Sequence, residues 1–146
     1  MTNSNSFLFE PFKTGKTATI FRFLLGFMLL YAGISHLTFN RTEFLAQVPT
    51  WLPMSADLVV ILSGIVEISL GLSLTILGRW KIIVGLTTAL FFIMIFPGNI
   101  SQYINGVDAF GLDSDRARLI RLFFQPLLVF WALASTGAYK AWKQRK

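Results

Sequence analysis

The chain has 146 residues, of which 54% are hydrophobic, 15% aromatic and only 14% charged, with a formal net charge of +6 and a mean hydropathy of +0.62. Soluble domains carry about 25% charged residues, so the deficit excludes an ordinary water-covered surface and predicts one all-α domain, a polytopic membrane protein. The absence of cysteine excludes thiol catalysis, disulfides, thiolate metal sites and iron–sulfur ligation, and the single histidine excludes bis-histidine haem ligation within the chain.

Residues 1–16 read as a flexible polar tail, with Phe7, Leu8, Phe9 and Phe12 resting on the membrane interface. Four long apolar runs follow, at about 18–39, 57–77, 80–102 and 118–139. Each reaches the roughly 20 helical residues needed to cross a hydrocarbon core. None alternates with period two, so the prediction is a four-helix transmembrane bundle. The first run lacks the short apolar core and small-residue cleavage site of a secretory signal, and is read as a span. Between the first two runs, residues 38–56 form a longer loop containing Pro49, Trp51 and Pro53. Gly78 and Arg79 make a tight turn, and residues 105–116 form a polar loop with Asp108, Asp113 and Asp115.

Charge sets the expected orientation. Lys13, Lys16, Arg79, Lys81, Lys140, Lys143, Arg145 and Lys146 gather on one side. Opposite lie Arg41 and Arg116, with Arg118 and Arg121 opening the last helix. The positive-inside rule then puts both termini in the cytoplasm. Basic residues outside apolar runs suit anionic headgroups, so membrane lipids are expected partners and nucleic acid is not.

At 100° per residue, each run has one small or polar face. On the first it is Arg22, Gly26, Leu29, Gly33 and His36, and on the second Ser63, Glu67, Gly71, Leu74 and Gly78. On the third it is Gly85, Thr88, Phe92, Ile95, Asn99 and Gln102, and on the fourth Arg118, Arg121, Gln125, Ala132 and Thr136. Close packing of small residues substitutes for the hydrophobic effect between membrane helices, so these faces are expected to meet. By depth, His36, Ser63, Glu67, Asn99, Gln102, Arg121 and Gln125 converge in the outer half of the bundle and form the candidate ligand-binding site. An intramembrane carboxylate is a functional candidate because burying it is expensive. Each of these residues has a purely structural alternative: Glu67 fastening the bundle through His36 or an arginine, and Asn99 and Gln125 bridging helices. Arg22, at the other end, is expected to snorkel to the surface.

The same residues carry a family resemblance. RFLLGFMLLYAGISH (residues 22–36), VPTWLP (48–53), SGIVEISLG (63–71) and FPGNI (96–100), with Arg121 and Gln125, resemble in order the elements of the DoxX family, Gly98 standing where that family usually has alanine. The resemblance implies a small four-helix protein of the bacterial inner membrane. It also implies association with redox complexes, since the family name comes from a subunit linked to a terminal quinol oxidase and other members accompany thiol-redox systems. Direct thiol chemistry is untenable without cysteine. The resulting expectation is an accessory or scaffold subunit with a membrane-protein partner or a homo-oligomer. The alternatives are a site for a quinone or amphipathic lipid headgroup, and a small oligomeric transporter. No catalytic residue or metal site is assigned, and the reading inclines against an enzyme as an isolated chain.

Overall fold

The structure, a computed structural model, describes residues 6–144. Its α-helices are α1 (Lys16–Leu37), α2 (Arg41–Gln47), α3 (Ala56–Ile76), α4 (Lys81–Ile104), α5 (Asp115–Ser135) and α6 (Ala138–Lys143). Short 3-10 turns occupy Ser6–Leu8 and Gly78–Trp80. Helices α1, α3, α4 and α5 are long and apolar enough to cross a membrane, the third with the turn before it. The four-helix architecture expected from the sequence is therefore the one observed.

Local chemistry sets the helix ends. The Ser55 hydroxyl accepts from the Leu58 amide at 3.3 Å and the Ser114 hydroxyl from the Ala117 amide at 3.2 Å. These are N-caps that satisfy amides lacking an intrahelical acceptor. The Ser114 cap starts α5 three residues earlier than the hydropathy run suggested. The same span ends at Ser135 rather than near residue 139, because Gly137 adopts φ +80° and turns the chain into α6. A Cβ at Gly137 would also meet Phe12 at 2.8 Å.

The tightest seam joins α1 and α3. A Cβ on Gly33 would lie 2.7 Å from the Gly64 carbonyl oxygen, and one on Gly71 2.7 Å from that of Gly26. The two backbones approach this closely only because side chains are missing at the crossing. Beside the seam, Leu25, Leu29, Leu70, Leu74, Val84, Ala89, Phe92 and Ala132 form the core. The perimeter is apolar, with Phe27, Ile76, Met94 and Phe123 well exposed, as lipid contact requires.

Two expectations need correction. From residue 6 on, the segment expected to be a flexible tail packs on the bundle: Phe7, Leu8 and Phe12 lie against Ile82, Ala138 and Ala141. Aromatic side chains outweigh the polar composition of that stretch, because burying them returns more free energy than its ordering costs. Residues 1–5, also assigned to the tail, and Arg145 and Lys146 of the basic set lie outside the described residues. Secondly, Arg22 does not snorkel. It is buried, its guanidinium donates to the Leu74 carbonyl, and its charge sits 4.8 Å from the Phe23 ring centroid. Leu74 lies in the last turn of α3, where carbonyls lack helical donors, and the arginine satisfies one of them.

Candidate functional site

The four polar faces turn inward. Arg22, Gly26, Leu29, Gly33 and His36 of α1 are all buried, as are Glu67, Gly71 and Leu74 of α3. Gly85, Thr88, Phe92, Asn99 and Gln102 of α4 and Arg118, Gln125 and Ala132 of α5 are buried too. At the end of the bundle away from the termini, the candidate residues resolve into three connected groups rather than one cluster.

The first group is a histidine–carboxyl contact. His36 Nδ1 lies 2.5 Å from Glu67 Oε2 and 3.1 Å from the Ala32 carbonyl oxygen. Two acceptors face that nitrogen, so it carries the ring proton. Nε2 makes no hydrogen bond within the described residues and is left for another partner. Both side chains are largely buried, with His36 7% and Glu67 5% exposed. The imidazole stacks on Phe44, ring centroids 3.3 Å apart.

The second group ties α4 to α5. Asn99 Nδ2 donates to Gln125 Oε1 at 2.9 Å, and Gln125 Nε2 donates to the Phe92 carbonyl at 2.5 Å. With both its amide ends bonded inside the bundle, Gln125 is a bridge between helices.

The third group contains a residue that sequence reasoning passed over. Arg121 Nη1 donates to Gln102 Oε1 at 3.2 Å and Nη2 to Gln47 Oε1 at 3.1 Å, while Gln47 Nε2 donates to Gln102 Oε1 at 3.0 Å. A planar guanidinium fork suits two oxygen acceptors held side by side. Gln102 also donates to the Val107 carbonyl at 3.2 Å. Gln47 and Phe44 stand on α2, inside the stretch 38–56 that the sequence predicts as a loop. The sequence carries little signal for α2, because seven residues, Arg41–Gln47, make barely two helical turns.

Helix α2 is pinned from three directions. Arg41 pairs with Asp57 at the start of α3. Glu43 Oε2 accepts from the Phe110 amide at 2.7 Å, and the Phe44 ring meets that of Phe110 edge-on at 4.7 Å. Phe110 adopts φ +55°, a conformation unfavourable for a side-chain-bearing residue. The contacts to Glu43, Phe44 and the Arg121 guanidinium, 5.4 Å from its ring centroid, hold it there. Arg118 fastens the same loop, donating to Asp108 at 2.6 Å, Leu112 O at 2.9 Å and Asp115 at 2.9 Å. It therefore serves the loop and stands outside the ligand site.

Beneath α2 and its following loop, between α3 and α4, lies a cleft of about 520 Å³. Of the candidate residues, His36, Ser63, Glu67, Asn99 and Arg121 line it, and Gln102 and Gln125 do not. Ser63 makes no hydrogen bond to Glu67 and offers its hydroxyl to the cleft. Val59, Leu62, Leu90 and Met94 form the sides, and the exposure of Leu62, Leu90 and Met94 (69% for Met94) puts the mouth on the apolar perimeter. Pro49, Trp51 and Leu52 of the VPTWLP stretch form the roof.

A family model described as a domain of unknown function (DUF8561) matches residues 25–136. No curated protein and no solved structure matches. The matched stretch contains every residue of the cleft.

Proposed function

The chain belongs to the DUF8561 family, and from its cleft we propose that it binds the polar head of a membrane-dissolved amphiphile, a quinone or an amphipathic lipid. One observation carries this reading: a cleft of about 520 Å³ opens on the apolar perimeter yet ends on the His36–Glu67 pair and the Arg121 guanidinium. Small-molecule sites have this composition, with mostly apolar walls and a few convergent polar groups, and volumes of about 300–1,000 Å³. An apolar tail remains in lipid while the head exchanges water for His36 Nε2, the Ser63 hydroxyl and Asn99. In a low-dielectric site such bonds are stronger than in water. Phe44 and Trp51 offer ring faces against which a planar or bulky head stacks. Quinol and lipid heads share hydroxyl and other oxygen groups on an apolar tail: a hydroxyl of the head donates to His36 Nε2, and an oxygen acceptor takes the Ser63 hydroxyl proton.

The setting proposed is a bacterial inner membrane with both termini cytoplasmic, supported by the basic residues around the terminal face. The outer cleft then lies in the leaflet away from the cytoplasm. The accessory-subunit role implied by the DoxX resemblance differs in the occupant: a partner protein would cover the cleft mouth in place of a small molecule.

Gentle extraction followed by native mass spectrometry separates these readings. The wild-type protein is expected to retain one amphiphile, identified by its mass as quinone or phospholipid. Met94→Trp, at an exposed position that tolerates bulk, should close the mouth and release it. A stoichiometric protein partner with no retained small molecule would contradict the proposal in favour of the accessory subunit.

A further inference from the structure

A second cleft, of about 510 Å³, lies at the opposite end of the bundle between α1 and α5, on the face that carries both termini. Its walls are apolar. Phe21 and Trp131 meet edge-on at 6.0 Å, and the Trp131 indole donates to the Phe21 carbonyl at 2.9 Å, which fixes the ring. The polar groups gather at the terminal end, and each one can donate. Lys140 extends from α6. Thr17 and Ala18 stand in the first turn of α1, where backbone amides have no intrahelical acceptor. The capping position, Gly15, has no side chain to satisfy them.

Ser135 completes the set. It lines the cleft, is 3% exposed, and its hydroxyl has no hydrogen-bond partner. The other buried hydroxyls, Ser35, Thr88 and Thr136, each donate to a carbonyl one turn earlier. Ser135 is the exception among the described residues, and its buried hydroxyl keeps its capacity to donate. No carboxylate lines this cleft.

We propose that this inner cleft is a binding site for an anionic phospholipid. The phosphate sits among Lys140, the Ser135 hydroxyl and the first-turn amides of α1, and an acyl chain lies along Phe21, Phe130 and Trp131. The uncompensated end of the helix and the lysine favour the same sign of charge. Exposed Lys16 at the start of α1 adds to the field. The site is separate from the outer cleft and stands or falls without it.

The test uses the full chain in nanodiscs containing equal phosphatidylglycerol and phosphatidylcholine, with native mass spectrometry of the lipid retained after release. One specific lysine near the surface predicts about a fivefold preference for phosphatidylglycerol. Lys140→Glu should abolish that preference. Lys143→Glu, on the same short helix but outside the cleft, should keep it, and Ser135→Ala should narrow it. Ala134→Phe should also abolish the preference by filling the slot. Equal retention of the two lipids by the wild type would overturn the proposal. So would parallel losses in Lys140→Glu and Lys143→Glu, which would reduce the effect to general surface charge. Met94→Trp should leave the preference for phosphatidylglycerol unchanged.

Discussion

At the scale of single residues, the pairing of His36 with Glu67 decides what the outer cleft can do. A carboxyl group held 2.5 Å from an imidazole nitrogen fixes which ring nitrogen carries the proton and frees Nε2 for a ligand. Replacing Glu67 by Gln keeps an oxygen acceptor for His36 but removes the charge. Interhelical hydrogen bonds in membranes are worth about 0.6–2 kcal/mol. Glu67→Gln is therefore expected to unfold in detergent within that range of the wild type, yet lose the retained amphiphile. If the variant keeps both its stability and its ligand, the pair is bundle architecture alone. Sequence reasoning brought the right residues to this end of the molecule, because an intramembrane carboxylate and histidine stand out against an apolar background. It could not say that Gln125 spends both ends of its amide on Asn99 and Phe92 while the Ser63 hydroxyl faces the cleft. Such distinctions depend on sub-ångström placement, which a helical wheel does not carry.

At the scale of elements, the α1–α3 seam and the short α2 lid behave oppositely under substitution. The seam has no room: a methyl group at Gly33 meets the Gly64 carbonyl and Ile68 at 2.7 Å. Gly33→Ala should destabilise the protein by about 1–3 kcal/mol, read as a lowered unfolding temperature, since backbone on the far side cannot yield cheaply. The lid depends on the Arg121 fork. Arg121→Lys cannot reach Gln47 and Gln102 at once in the same plane. It is expected to leave the long helices unchanged while lowering the opening free energy of residues 41–47 by about 1 kcal/mol, measured as faster amide hydrogen exchange in α2. Unchanged exchange there would mean that Arg41, Glu43 and Phe44 suffice to hold the lid. The long helices were legible because 20-residue apolar runs admit no other membrane structure. Helix α2 was not, because a seven-residue helix generates little periodicity and owes its existence to tertiary contacts with Asp57, Phe110 and Arg121.

At the scale of the whole molecule, the chain places a polar-ended cleft at each end of the bundle. Both clefts meet the apolar perimeter, and only the inner one has charge of a single sign. The proposed orientation predicts that cysteines introduced at Thr50 and Ser114 react with an impermeant reagent in intact cells, whereas one at Gln144 does not. The absence of native cysteine makes that comparison clean. Labelling of Gln144→Cys without Thr50→Cys would invert the topology. The central claim, a head site under α2 reached from the lipid, is tested most directly by photolabelling. Quinone and phospholipid analogues carrying a diazirine next to the head would be added to the protein in nanodiscs, and the adducts mapped by mass spectrometry. The account predicts adducts on Phe44, Trp51 and Met94 from one of the two analogues, competed away by its unlabelled parent. Adducts confined to perimeter residues such as Phe27 and Phe123, without competition, would contradict it.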